Sequence, residues 1–111
     1  MDFNEYQKLA STTAQYNEDS EQYKFMYLSL GLAGEVGEVV EKVKKLIRND
    51  KGVLTDETRK AMAAELGDVL WYLSQIALLL NVPFEDVAKI NIEKLRDRYQ
   101  RGVIKSEGDN R

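Results

Sequence analysis

The sequence contains no cysteine and no histidine, and both absences restrict the chemistry that it can support. Without cysteine, the chain has no disulfide framework and no thiolate metal site. Without histidine, it has no histidine general base, no histidine-dependent nucleophile triad and none of the usual zinc sites. Any reaction must therefore rely on carboxylates, lysine, arginine, tyrosine, serine, threonine or a bound metal.

The chain also lacks an excess of positive charge and a long apolar run. Its formal net charge is −3, which argues against a nucleic-acid partner. The N-terminus has no basic region followed by an apolar stretch, so no signal peptide is predicted. The longest strongly apolar stretch, residues 69–80, is too short to span a bilayer. We therefore expect a cytoplasmic protein with neither a nucleic-acid nor a membrane partner.

Proline occurs only once, and no segment alternates apolar and polar residues with a period of two. The sequence therefore predicts an all-α fold without strands, in one domain covering residues 1–104, with a polar tail at residues 105–111. Helix starts are predicted at Asp2, near residue 22, after the N-cap Thr55 and at Pro83. Breaks are predicted at residues 17–20, at residues 49–52, at Asn81 in a left-handed conformation, and at Gly102. Because so short a chain buries a small share of its surface, the wide apolar faces of these helices indicate burial between subunits.

Four acids in two helical pairs are the strongest functional signal. The pairs are Glu35 with Glu38 on the second helix and Glu65 with Asp68 on the third. A spacing of three places both acids of a pair on one face of a helix. The third helix is apolar almost all the way round, so we expect its two acids to be buried. A buried carboxylate requires compensation by a cation, either a metal ion or an Arg/Lys cluster.

Oxygen ligands without histidine favour Mg²⁺, Mn²⁺ or Ca²⁺ over zinc or copper. Mg²⁺ is usually shared with substrate phosphates, so the acids indicate phosphoryl chemistry. Ferritin-like di-iron bundles are a poor alternative, because they need Glu-x-x-His motifs. For the second helix a simpler alternative remains, in which Glu38 with Lys42 and Glu41 with Lys45 are ordinary i, i+4 ion pairs on a solvated face.

The arrangement of acids resembles the signature of the all-α nucleoside triphosphate pyrophosphohydrolases, the MazG-like superfamily. That signature is E-x-x-E, a loop, then E-x-x-D, and here 26 residues separate Glu38 from Glu65. The similarity continues through GLAGEVGEVVEKVKK, ELGDVLWYL and NIEKLRDRYQRG, and it covers residues 28–102. The resemblance implies a Mg²⁺-dependent hydrolase, with Mn²⁺ as a substitute, that cleaves nucleoside triphosphates between the α and β phosphates. It also implies an antiparallel helical bundle of the four-helix type, assembled as a homodimer or homotetramer.

Site residues follow from the same resemblance. The metal ligands would be Glu35, Glu38, Glu65 and Asp68. Glu38 would also orient the attacking water. The substrate contacts would be Tyr72, at an aromatic position associated with base or sugar, and Asn91, Lys94 and Arg98, which match a segment expected to contact the phosphates or the nucleotide.

Several alternatives remain open from the residues alone. Asn91 is equally consistent with a hydrogen-bonded core amide, and Lys94 and Arg98 with solvated or Asp97-paired side chains. Trp71 fits core or subunit packing better than stacking on a nucleobase. At the level of function, two alternatives stand beside the nucleoside triphosphate pyrophosphohydrolase. One is an enzyme like phosphoribosyl-ATP pyrophosphohydrolase, and the other is a non-catalytic helical dimerisation module whose acids pair with its own Lys and Arg side chains.

Overall fold

The structure, a computed structural model, describes residues 1–16 and 20–102. These residues form four helices and no strand: α1 (Phe3–Ser11), α2 (Glu21–Asp50), α3 (Asp56–Leu79) and α4 (Phe84–Gln100). The predicted all-α class is therefore confirmed, and the predicted starts of the helices lie within two residues of the observed ones. Most of the predicted break at residues 17–20, the domain boundary at residue 104 and the polar tail lie outside the described residues.

Local sequence signals set the ends of these helices. Asp2 caps α1, because its carboxylate accepts a hydrogen bond of 2.8 Å from the backbone N–H of Glu5. Thr55 caps α3 in a reciprocal capping box with Thr58. After α3, Asn81 adopts the expected left-handed conformation, with φ of 60°.

Helix α3 is the central element of the chain. Helices α1, α2 and α4 all pack against it, and α1 also contacts α4. In the part of the chain that the structure describes, α2 contacts no helix other than α3, whereas each helix of a closed bundle contacts two neighbours. Helix α4 leaves α3 at an angle of 99°. One chain therefore forms an open arrangement of helices around α3.

Two polar side chains of α1 hold α4 in place. Pro83 precedes α4 and offers no side-chain cap. Instead, the side-chain oxygen of Gln7 accepts a hydrogen bond of 3.1 Å from the N–H of Phe84, and that of Asn4 accepts one of 2.9 Å from the N–H of Glu85. The amide nitrogen of Gln7 donates to the carbonyl oxygens of Ser74 and Val82. Gln7 thus satisfies backbone groups at the end of α3 and at the start of α4.

Large apolar side chains remain exposed on the outer faces of the helices. On α2 they form a stripe with helical periodicity, made up of Val36, Val40, Val43 and Ile47. No single helix among the described residues is both long and apolar enough to cross a membrane, whereas α3 and α4 taken together satisfy these criteria with their sharp bend.

Candidate metal centre

Packing of α2 on α3 brings three of the four predicted acids together. On α2, the buried Leu28 and Leu46 lie on the same helical face as Glu35, two turns before it and three turns after it. Their burial holds Glu35 towards α3. Glu35, Glu65 and Asp68 each offer a carboxylate oxygen, and these three oxygens lie within 4.8 Å of one another. We call these three residues the acidic cluster.

The acidic cluster lies at a partly open surface. The side chain of Glu65 is 19% exposed and Glu35 is partly buried, but Asp68 is exposed. The expectation that both acids of α3 are buried is therefore wrong for Asp68, and Glu65 is only partly buried. In a single chain, α3 is covered by its neighbours on some sides only, so a helix that is apolar all round keeps an open face.

The electrostatics of the acidic cluster favour binding of a cation. Partial burial, followed by repulsion from Asp68, Glu65 and Glu38, raises the pKa of Glu35 above its ordinary value. The ammonium of Lys42 lies 3.7 Å from a carboxylate oxygen of Glu65. Among the described residues, neither Glu35 nor Asp68 has a Lys or Arg partner within 4.0 Å. One ammonium does not neutralise three carboxylates, so the cluster carries uncompensated negative charge when its acids are ionised.

The donor set fits a hard divalent cation. Three carboxylate oxygens and no nitrogen or sulfur ligand match the preference of Mg²⁺ and Mn²⁺, and an open side leaves room for water or phosphate oxygens. Glu38 does not join the three acids: it lies one turn further along α2 and is exposed. It is nevertheless near enough to raise the pKa of Glu35. Its role as a ligand or as the group that orients water stays a prediction.

Tyr72 lies beside the acidic cluster. Burial, and then the proximity of Tyr27, Glu35 and Asp68, raises the pKa of the Tyr72 phenol. The ring also meets Trp71 in a T-shaped contact with centroids 5.0 Å apart. Trp71 itself donates its indole N–H to Thr13 at the end of α1, at 2.9 Å, which fits the packing role expected for it.

The predicted substrate contacts Asn91, Lys94 and Arg98 lie on α4, which contacts α3 and α1. Helix α4 does not contact α2, which carries Glu35. Asp68 lies 11 residues before the end of α3, or about 16 Å along the helix axis, and α4 then departs at 99°. Asn91 and Lys94 are exposed, so the alternative of a core amide is wrong for Asn91 in one chain. Arg98, by contrast, is only 5% exposed, which excludes a solvated side chain.

One neighbour of the cluster had no signal in the sequence. Tyr6 of α1 lies near Asp68, since the pKa of its phenol is raised by burial and then by that carboxylate. The two residues are separated by 62 positions, and only the packing of α1 on α3 brings them together. No spacing rule within one helix predicts such a neighbour.

Comparisons with known proteins agree with this geometry. The family model described as the MazG nucleotide pyrophosphohydrolase domain matches residues 24–103, a segment that contains the whole acidic cluster. The chain is also similar to the Gene 37 protein of Mycobacterium phage L5, with 46% identity over 109 residues that cover 96% of each chain. No solved structure matches the chain.

Proposed function

The chain belongs to the MazG nucleotide pyrophosphohydrolase family, and we propose that it hydrolyses nucleoside triphosphates between the α and β phosphates. The products are a nucleoside monophosphate and pyrophosphate. A role in removing non-standard or surplus nucleotides is compatible with this reaction. The observation that supports the proposal is the acidic cluster, whose three carboxylates converge from two helices within the matched segment.

In this proposal Glu35, Glu65 and Asp68 hold Mg²⁺, with Mn²⁺ as a substitute, and Glu38 completes the ligand set or orients water. When bound, the cation neutralises phosphate oxygens and lowers the pKa of a coordinated water. The carboxylates on both helices would hold the cation and would not bind the phosphate directly, because both groups are anionic. We propose that Glu38, one turn from Glu35, accepts a proton from the attacking water as the water oxygen bonds to the α phosphorus and the bond to the bridging oxygen breaks, with pyrophosphate as the leaving group.

The nucleotide must reach the acidic cluster from the open side of the site. In this proposal Tyr72, which lies near Glu35 and Asp68, supplies an aromatic surface for base or sugar. Lys42, which lies 3.7 Å from Glu65, is the nearest described cation to the cluster, and we propose that its ammonium contacts a phosphate oxygen of the substrate.

We further propose that a second copy of the chain completes an antiparallel four-helix bundle. The radius of gyration is 16.9 Å, whereas a compact domain of this length has about 13 Å. The accessible surface is 8400 Å², whereas a compact monomer of 12.7 kDa has about 6200 Å². The exposed apolar stripe on α2 gives a second copy a surface to cover. The same assembly would allow α4 of one chain to bring the exposed Asn91 and Lys94 to the cluster of its partner, whereas Arg98 is buried in its own chain and stays a prediction as a substrate contact.

The test is release of pyrophosphate from canonical, deoxy and chemically damaged nucleoside triphosphates in Mg²⁺, with phosphoribosyl-ATP in the same panel. We expect at least one nucleoside triphosphate to yield monophosphate and pyrophosphate, and EDTA to abolish the reaction. Glu65→Gln should lower kcat by on the order of 100-fold or more, because it removes a ligand oxygen's charge. The matched control is Glu41→Gln, which changes an acid of α2 outside the cluster.

Two other outcomes would assign the chain differently. Turnover of phosphoribosyl-ATP alone would place it with the phosphoribosyl-ATP pyrophosphohydrolases. The Lys42–Glu65 pair is the kind of contact that a non-catalytic module with internal salt bridges would contain. Absence of turnover with every substrate, together with a melting temperature that does not respond to Mg²⁺ or Mn²⁺, would favour that module.

A further inference from the structure

The ring of Tyr72 lies against the backbone of α2 at a position where only glycine leaves enough room. A Cβ atom built on Gly31 would collide with Cε1 and Cζ of Tyr72, because it would lie closer to them than real Cβ atoms approach other heavy atoms. Helix α2 has two more glycines in the same run, Gly34 and Gly37, and among the described residues neither has an atom of another part of the chain within 4 Å of an added Cβ. Among these three glycines, only Gly31 must lack a side chain for the ring of Tyr72 to lie where it does.

The ring is also supported from a second direction. The indole of Trp71 meets it in a T-shaped contact with an interplanar angle of 81°. The indole is itself fixed, because its N–H donates to the hydroxyl of Thr13 at 2.9 Å and to the carbonyl of Ala10 at 3.2 Å. Tyr72 is thus held between the bare backbone of α2 and a tryptophan that is anchored on α1.

This contact lies directly beside the acidic cluster. Gly31 precedes Glu35 by one helical turn on α2, and Tyr72 follows Asp68 by one turn on α3. Both carboxylates are close enough to act on the phenol of Tyr72. The position of the ring on α2 therefore sets the shape of the surface next to the three carboxylates.

We propose that Gly31 is a positioning residue for nucleoside binding, an inference that rests on the proposed function. Because Gly31 has no side chain, the ring of Tyr72 can pack against the backbone of α2. In that position the ring contacts the sugar or base of a bound nucleotide. The phosphates of that nucleotide lie at the acidic cluster. In this proposal the missing side chain of Gly31 affects the nucleotide only through the ring of Tyr72.

The consequence of a side chain at this position follows from which atoms would collide. The colliding atoms are at the far end of the tyrosine side chain, which moves by rotation about χ1 and χ2 without moving α3. Alanine also favours the helix more than glycine does. Gly31→Ala should therefore fold and keep the acidic cluster, while it displaces the ring from its place on α2.

The experiment compares Gly31→Ala with Gly34→Ala, a substitution in the same helix that meets open space. For Gly31→Ala we expect Kd for a non-hydrolysable nucleoside triphosphate, and KM for a hydrolysed one, to rise about tenfold, the size of effect that loss of base–aromatic stacking produces. We expect kcat to change by less than about twofold, because the groups that act on the reacting phosphate stay in place. Mn²⁺ affinity should be unchanged in both variants, and nucleotide binding should be unchanged in Gly34→Ala.

A double-mutant cycle separates positioning from a general effect on structure. In a Tyr72→Ala background, Gly31→Ala should have no further effect on nucleotide binding, because the ring through which it acts is absent. If Gly31→Ala weakens nucleotide binding equally in the wild-type and Tyr72→Ala backgrounds, the positioning role is overturned. It is also overturned if Gly31→Ala has no effect on nucleotide binding in the wild-type background.

The ring resonances of Tyr72, assigned by comparison with Tyr72→Phe, distinguish this inference from the proposed function. They should shift in Gly31→Ala, remain in place in Gly34→Ala, and respond to a non-hydrolysable nucleotide in the wild-type chain. A wild-type chain that shows these responses but hydrolyses no nucleotide would overturn the proposed function and keep the positioning role. A chain that hydrolyses nucleotides without a response of the ring would overturn the positioning role alone.

Discussion

The ammonium nitrogen of Lys42 lies 3.7 Å from a carboxylate oxygen of Glu65, so a residue of the protein itself already supplies one positive charge to the acidic cluster. Both side chains are partly exposed, at 35% and 19%. The ion pair is therefore screened by solvent and contributes little to stability. Its importance lies in competition, because a divalent cation and Lys42 both interact with the carboxylate of Glu65.

Lys42→Ala should strengthen binding of Mn²⁺ to the substrate-free protein, by up to about fivefold, the value of a partly exposed ion pair. The same substitution should raise KM for the nucleotide, because it removes the cation nearest to the phosphates. Isothermal titration with Mn²⁺ and steady-state kinetics measure the two effects. Lys45→Ala is the control, since Lys45 is more exposed and lies 4.0 Å from Glu41, outside the cluster. Unchanged or weaker Mn²⁺ binding by Lys42→Ala would rule out the competition.

Glu35→Gln should stabilise the metal-free protein near neutral pH. Burial and the neighbouring carboxylates raise the pKa of Glu35 above 4.5 in the folded state, so its ionised form costs stability at any pH above the folded pKa. This cost falls as pH decreases through the folded pKa, and it disappears below the unfolded pKa. The stability difference between variant and wild type should therefore shrink when urea unfolding is repeated in the absence of metal at about pH 4.

Saturating Mg²⁺ should make the wild-type chain more stable than Glu35→Gln, which is the reverse of the order expected without metal. The wild-type chain gains stability by mass action, about 2.7 kcal/mol at a metal concentration 100 times Kd, whereas Glu35→Gln has lost a ligand and gains less. Glu41→Gln, on the same helix, should behave like the wild type with and without metal. If Mg²⁺ stabilises Glu35→Gln as much as it stabilises the wild type, Glu35 is not a metal ligand.

Gln7→Ala should destabilise the fold by about 2 kcal/mol, because it leaves the buried N–H of Phe84 without its side-chain acceptor. The lost contacts are the one from the N–H of Phe84 and those to the carbonyls of Ser74 and Val82. Urea unfolding with an unchanged m-value would measure this cost. Gln22 is an exposed glutamine in the first turn of α2, so Gln22→Ala should reduce stability much less. Equal losses in the two variants would mean that Gln7 is not what joins α4 to the rest of the chain.

The elements that depend on neighbours in the sequence were predictable. A cap needs only its own residue and the next turn, so the helix start at Asp2 and the N-cap at Thr55 follow from the sequence and are confirmed. The i, i+3 spacing of Glu65 and Asp68 places both on the face of α3 that meets α2. Because α2 and α3 are joined by a short turn, their mutual contact was expected as well.

The features that depend on distant parts of the chain were not predictable. The N–H of Phe84 finds its acceptor on Gln7, 77 residues earlier, and no pattern within either helix indicates that contact. The exposure of Asp68 depends on which sides of α3 one chain covers, which periodicity does not specify. The i, i+3 rule placed Glu38 with Glu35, but the rotation of α2 directs only Glu35 to the cluster.

The position of α4 leads to a test of whether its cations serve the acidic cluster of another chain. Glu65→Gln and Lys94→Ala should each be poorly active, one through loss of a metal ligand and the other through loss of a substrate contact. If Lys94 acts on the cluster of a partner in a dimer, subunits exchanged between the two variants form mixed dimers in which one of two sites has both native residues. Random exchange makes half of the dimers mixed, so the mixture should recover about a quarter of wild-type activity.

If Lys94 acts within its own chain, every site in a mixed dimer carries one substitution and no activity returns. Glu65→Gln exchanged with Glu35→Gln is the control, because both substitutions affect the cluster of one chain and should not complement in either case.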